Sequence, residues 1–94
     1  MRLALAMLFA LGCGVGPHDA YSTFQGCFND VRDSGQTAQM TITLCLLDHP
    51  IGGHLLNFST VTECEAYVSS NLDMSKATAV DISAGCQSYI DMKV

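Results

Sequence analysis

Four cysteines dominate the chemistry open to this 94-residue chain. Cys27, Cys45, Cys64 and Cys86 follow one another at intervals of 18, 19 and 22 residues. No C-x-x-C occurs, which argues against a zinc knuckle, a thioredoxin-like redox centre or haem attachment. A cysteine nucleophile would need a depressed thiolate pKa and a base within hydrogen-bond reach. An even set of four in a body of this size reads instead as two structural disulfides. Neither a catalytic residue nor a cofactor is expected.

The next cluster is Asp48-His49-Pro50-Ile51-Gly52-Gly53-His54. Asp48, His49 and His54 are metal-ligating types, but neither a helical H-x-x-x-H pair nor a third strong ligand stands beside them. The segment is expected to be a solvated turn, and loops on a rigid scaffold commonly carry contacts. Glu63 and Glu65 lie two apart, a spacing that sends two helical side chains in different directions, so a carboxylate pair for hydrolysis is not expected. Asn57-Phe58-Ser59 is a glycosylation sequon, with Asn57 the acceptor if the chain passes through a eukaryotic secretory pathway.

The first residues bear on compartment. Met1-Arg2 is a short positive start, residues 3–11 are uncharged and apolar, and Gly12-Cys13-Gly14 supplies small residues for cleavage. This is the layout of a secretory signal over residues 1–14, followed by one small domain over 15–94. Counted to Val15, the apolar stretch is 13 residues, short of the roughly 20 that span a bilayer. Ala10-Leu11-Gly12-Cys13 resembles the bacterial lipobox. That resemblance implies diacylation of Cys13 and attachment to the membrane through it. Removal or acylation of Cys13 turns five cysteines into the even set of four.

Composition narrows the partners. The chain is 49% hydrophobic and 14% charged, with a formal charge of −5. Nucleic acid is excluded as an expected partner, because phosphate binding needs clustered cations.

The elements that would hold these residues are read from periodicity. Residues 38–47 alternate Ala38, Met40, Ile42, Leu44 and Leu46 with Gln39, Thr41, Thr43, Cys45 and Leu47, which predicts a strand with one buried face. Residues 21–28 are expected as a strand or a docking loop, and 29–36 as a turn. Residues 54–58 would return as a second strand. Thr60-x-x-Glu63 matches a capping box opening a helix over 61–70. Residues 77–82 are ambiguous, Gly85 is expected to break the chain, and Cys86, Ser88, Ile90 and Met92 predict a closing strand. No internal repeat is read.

The expected fold is therefore α+β: a small ββαβ antiparallel sheet with one helix on its apolar face and two disulfides. Four cysteines allow three connectivities. Cys64 would face the last strand and Cys45 would point away from the helix, which favours Cys64–Cys86 and Cys27–Cys45. The expected function is binding of a protein or surface ligand by a small exported non-enzymatic protein. The alternatives are an envelope lipoprotein acylated at Cys13, and a secreted metal-binding protein or enzyme using the loop from His49 to His54.

Overall fold

The computed structural model describes residues 20–93, and among these the chain forms four helices. They are α1 Phe24–Asp33, α2 Ala38–Leu47, α3 Val61–Asn71 and α4 Ala79–Lys93. The expected antiparallel sheet does not form. Extended pairing among the described residues is confined to two isolated bridges, Tyr21 with Ile51 and Ile51 with His54. The signal-like residues 1–14, with Cys13, lie outside the described residues.

Every helix opens on a threonine. The Thr23 hydroxyl accepts from the Gly26 amide at 3.0 Å, and Thr37 accepts from Met40 at 3.1 Å. Thr60 accepts from Glu63 at 3.2 Å, and Thr78 accepts from Asp81 at 3.1 Å. Each hydroxyl satisfies one of the amides that a helix start leaves without an intrahelical partner. The capping box at Thr60 is complete, with Glu63 Oε1 accepting from the Thr60 amide at 3.3 Å. Thr78 and Asp81 form the same reciprocal pair, since Asp81 Oδ2 accepts from the Thr78 amide at 3.0 Å. That second box starts α4 where the sequence reading left ambiguity and then a strand.

The strand expected over residues 38–47 is helix α2, and the cause is burial on more than one side. Thr41, Ile42, Thr43, Cys45 and Leu46 are all buried, because α1 packs on one side of α2 and α4 on another. A helix enclosed in this way shows no single apolar stripe. Its threonines are buried with their hydroxyls occupied. Thr41 Oγ1 donates to the Thr37 carbonyl at 2.6 Å. Thr43 Oγ1 lies 3.2 Å from the Gln39 carbonyl and 3.0 Å from that of Gly85. Back-bonding of this kind removes the cost of an unpaired polar group.

Two further corrections concern α1 and α4. The turn expected over residues 29–36 is helical to Asp33, because Phe24, Cys27 and Phe28 supply a buried face at helical spacing. The turn itself comes at Ser34 and Gly35, where Gly35 has φ 109°. Gly85 does not break the chain. It sits buried inside α4 against α2, and a Cβ there would lie 2.8 Å from Ile42 Cγ2 and 3.0 Å from the Gln39 carbonyl oxygen. The missing side chain lets the two helices cross closely, and with the strands gone the closing segment is the rest of α4.

The disulfides are Cys27–Cys45, joining α1 to α2, and Cys64–Cys86, joining α3 to α4. All four cysteines are 0% exposed. The strand faces from which the sequence reading argued these pairs do not exist; each bond instead staples two neighbouring helices. The two stapled hairpins meet mainly along α2 and α4, with a smaller contact between α1 and α3. Phe24, Phe28, Ile42, Leu46, Val68, Ile82 and Tyr89 fill the space between them.

This arrangement brings out a repeat. In each half, an aromatic-Ser-Thr triplet precedes the first helix: Tyr21-Ser22-Thr23, then Phe58-Ser59-Thr60. A cysteine follows four residues after the threonine, at Cys27 and Cys64, and a valine four further on, at Val31 and Val68. A Thr-Ala pair opens the second helix at residues 37 and 78, with a cysteine eight residues after the threonine, at Cys45 and Cys86. The connection between helices is longer in the second half, which hid the register.

Candidate functional site

The loop at residues 48–54 is the end of a helix tied to the N-terminal segment, not the tip of a β-hairpin. Asp48 caps α2, its amide donating to the Leu44 carbonyl at 2.9 Å. The Tyr21 amide donates to the Pro50 carbonyl at 2.9 Å, and the Gly52 amide donates to the Tyr21 carbonyl at 2.8 Å. Ile51 is buried, and its amide closes the turn on the His54 carbonyl at 2.9 Å. Gly52 and Gly53, at φ 65° and 99°, supply the left-handed backbone that this tight return requires. The loop is thus fixed at both ends by backbone hydrogen bonds.

The imidazole of His49 is half-buried and stands edge-on to the Tyr21 ring, with centroids 5.6 Å apart. Beside this pair an open groove of about 370 Å³ runs between α1 and α2. Its lining comprises Tyr21, Asp30, Val31, Ser34, Gln36, Leu44 and His49. His54 is exposed on the turn and does not line it. Among the described residues, no three His, Cys, Asp or Glu side chains gather as a metal-binding set. Asp48, His49 and His54 therefore stay a loop sequence rather than a ligand cluster.

The corresponding end of the second hairpin is closed differently. The Tyr89 hydroxyl accepts from the Phe58 amide at 3.0 Å and lies 3.2 Å from the Leu56 carbonyl. Lys93 Nζ donates to the Phe58 carbonyl at 2.6 Å and to Asn57 Oδ1, and sits 5.1 Å from the centre of the Tyr89 ring. Asn57 is exposed, and Phe58 packs its ring against Tyr67 and Tyr89. A smaller hollow of about 210 Å³ remains between Phe58, Ser59, Ile90 and Lys93. A third groove, of about 520 Å³, lies between α1 and the 73–76 turn and is lined by Arg32, Asp33 and Lys76 among others. Next to it, hydrogen bonds from the Ser75 amide and hydroxyl, helped by the Lys76 charge, hold the Asp73 carboxyl below its ordinary range.

Sequence reasoning singled out His49 but missed Tyr21, Asp30 and the groove. The available signal was the aromatic-Ser-Thr triplet, which places Tyr21 six residues before Cys27 just as Phe58 stands six before Cys64. Fold and staples together define a small all-helical protein made of two disulfide-bonded helical hairpins. Compared with known proteins, the chain matches no family model, no curated protein and no solved structure. The two disulfides indicate an oxidising compartment, extracellular or at the envelope. Among the described residues, no helix is long and apolar enough to cross a membrane.

Proposed function

We propose that this chain is a small exported protein, not an enzyme, that binds a protein or surface ligand through the 48–54 loop and the groove beside it. The observation that carries the reading is the pinning of that loop to Tyr21 by two backbone hydrogen bonds, next to an open groove. A loop already ordered gives up less conformational freedom when it meets a partner, so more of the contact energy becomes affinity. The signal-like layout of residues 1–14 supports export, and Cys13 offers a lipid attachment point at the envelope.

The test is retention of a partner from the native extracellular or envelope fraction by the immobilised mature protein. Wild type retains a partner, and a His49→Ala/His54→Ala variant loses most of it. Equal retention by both proteins would remove the loop from the binding surface. Cys13→Ser separates the two forms of export: release to the soluble fraction identifies the lipid-anchored form, and unchanged membrane retention excludes it.

A further inference from the structure

Sulfur is divided between two places in this molecule. The four body cysteines are 0% exposed and joined in pairs. The three methionines among the described residues all stand on the surface, Met40 at 39% exposure, Met74 at 49% and Met92 at 60%. Methionine is among the residues most often buried, and its flexible thioether commonly fills gaps in a core. Here the buried cluster is built from Phe, Ile, Leu, Val, Ala, Tyr and the disulfides, and none of these three methionines belongs to it.

The backbone at each methionine is held by contacts that leave the thioether out. Met40 lies in the first turn of α2, its amide donating to the Thr37 hydroxyl at 3.1 Å. Met74 lies in the turn between α3 and α4. The Asp73 amide ties that turn to Gln25 Oε1 at 2.6 Å, and the Ser75 amide donates to Asp73 Oδ1 at 2.9 Å. Met92 is in the last turn of α4, beside Lys93, which is anchored on the Phe58 carbonyl. Oxidation turns an apolar methionine into a polar sulfoxide and disrupts a core that contains it. At these three positions the new oxygen meets water, and every contact named above survives.

We infer that Met40, Met74 and Met92 are oxidant-accepting modification sites, each converted to the sulfoxide by a peroxide while the fold and both disulfides are kept. The thioether sulfur attacks one oxygen of hydrogen peroxide. The S–O bond forms as the O–O bond breaks, and the hydroxide released takes the remaining proton and leaves as water. Sulfur gives up two electrons and the peroxide accepts them. The disulfide sulfurs take no part, because burial keeps the oxidant from them. In the oxidising surroundings that the disulfides indicate, the chain thus offers its expendable sulfur outward and keeps its structural sulfur inside. This goes beyond the binding function proposed above and does not depend on it.

The experiment treats the full disulfide-bonded protein with hydrogen peroxide, in buffer and in urea, and follows each methionine by proteolytic mapping with fragment-ion assignment. In buffer all three sites gain one oxygen, at rates about two-fold below those in urea, as their partial exposure requires. The oxidised protein keeps its helical circular dichroism and a cooperative melt, and reduction with alkylation recovers Cys27, Cys45, Cys64 and Cys86 unoxidised. A Met40→Leu/Met74→Leu/Met92→Leu variant consumes three equivalents of peroxide less than wild type. A site that reacts more than about ten-fold slower in buffer than in urea, a lost cooperative melt, oxygen found on a cysteine, or equal peroxide consumption by the variant would each overturn the inference.

Discussion

The close crossing of α2 and α4 makes Gly85→Ala a sharp test of the packing. On an open helix this change stabilises by about 1 kcal/mol, because alanine loses less backbone entropy and favours the helix. At Gly85 the added Cβ meets Ile42 Cγ2 at 2.8 Å, Ile42 Cβ at 2.9 Å and the Gln39 carbonyl oxygen at 3.0 Å. None of these is the free end of a flexible side chain, so the helices must separate. Overpacking of this kind costs about 1–3 kcal/mol. Separation also lengthens the 3.0 Å contact between Thr43 and the Gly85 carbonyl, a loss of about 1 kcal/mol. The net expectation is destabilisation by about 1–3 kcal/mol. For a domain of this size that is a fall in melting temperature of about 4–24 °C. Thermal unfolding followed by far-ultraviolet circular dichroism reads it directly. An Ile42→Ala partner change removes Cγ2, so the double variant loses less stability than the sum of the singles, by about 1–2 kcal/mol. A Gly85→Ala protein that melts at or above wild type would show that α2 and α4 do not cross at this point.

Three further outcomes follow from the same structure. Replacing Cys27 and Cys45 with alanine, or Cys64 and Cys86, opens a link between residues 18 or 22 apart. Each pair costs about 3 kcal/mol, and chemical denaturation should show a similar loss for both; a variant pair with an unmoved midpoint would contradict the staple at that site. Tyr89→Phe deletes the acceptor of the Phe58 amide and costs about 1–2 kcal/mol, with hydrogen exchange at Phe58 accelerating more than at the core of α3. Asp73 has its pKa lowered in the folded state. Its stabilising contribution is present above the unfolded carboxylate range and is lost as the pH falls through the depressed value. Asp73→Asn should therefore flatten the acid limb of a stability-against-pH curve, and an unchanged limb would refute the Ser75 contacts.

What could be read in the sequence was what depended on neighbours along the chain. The start of α3 was legible because Thr60 and Glu63 form their capping box within four residues. Thr78 and Asp81 offered an equally local signal, which the ambiguous reading of residues 77–82 passed over. The strand reading of α2 failed for a reason no local pattern contains. Thr41 and Thr43 look like β-branched polar residues facing water, whereas α4 buries Thr43 and supplies the Gly85 carbonyl beside its hydroxyl. A residue 42 positions away decides that burial. The groove was hidden for the same reason, since Asp30 and His49 come together only when α1 folds back along α2.

The complete burial of the four sulfur-bearing residues sets an order on the life of the molecule. Thiol–disulfide exchange needs an attacking thiolate to approach a sulfur in line, and with every cysteine at 0% exposure no such approach exists while the helices are packed. Oxidation must therefore run ahead of final packing, with the links made while the hairpins are still loose. Reduction must wait for the helices to part. Once sealed, the molecule keeps its oxidation state through a passage into reducing surroundings for as long as it stays folded. Its redox lifetime is then set by its rate of opening rather than by the potential outside.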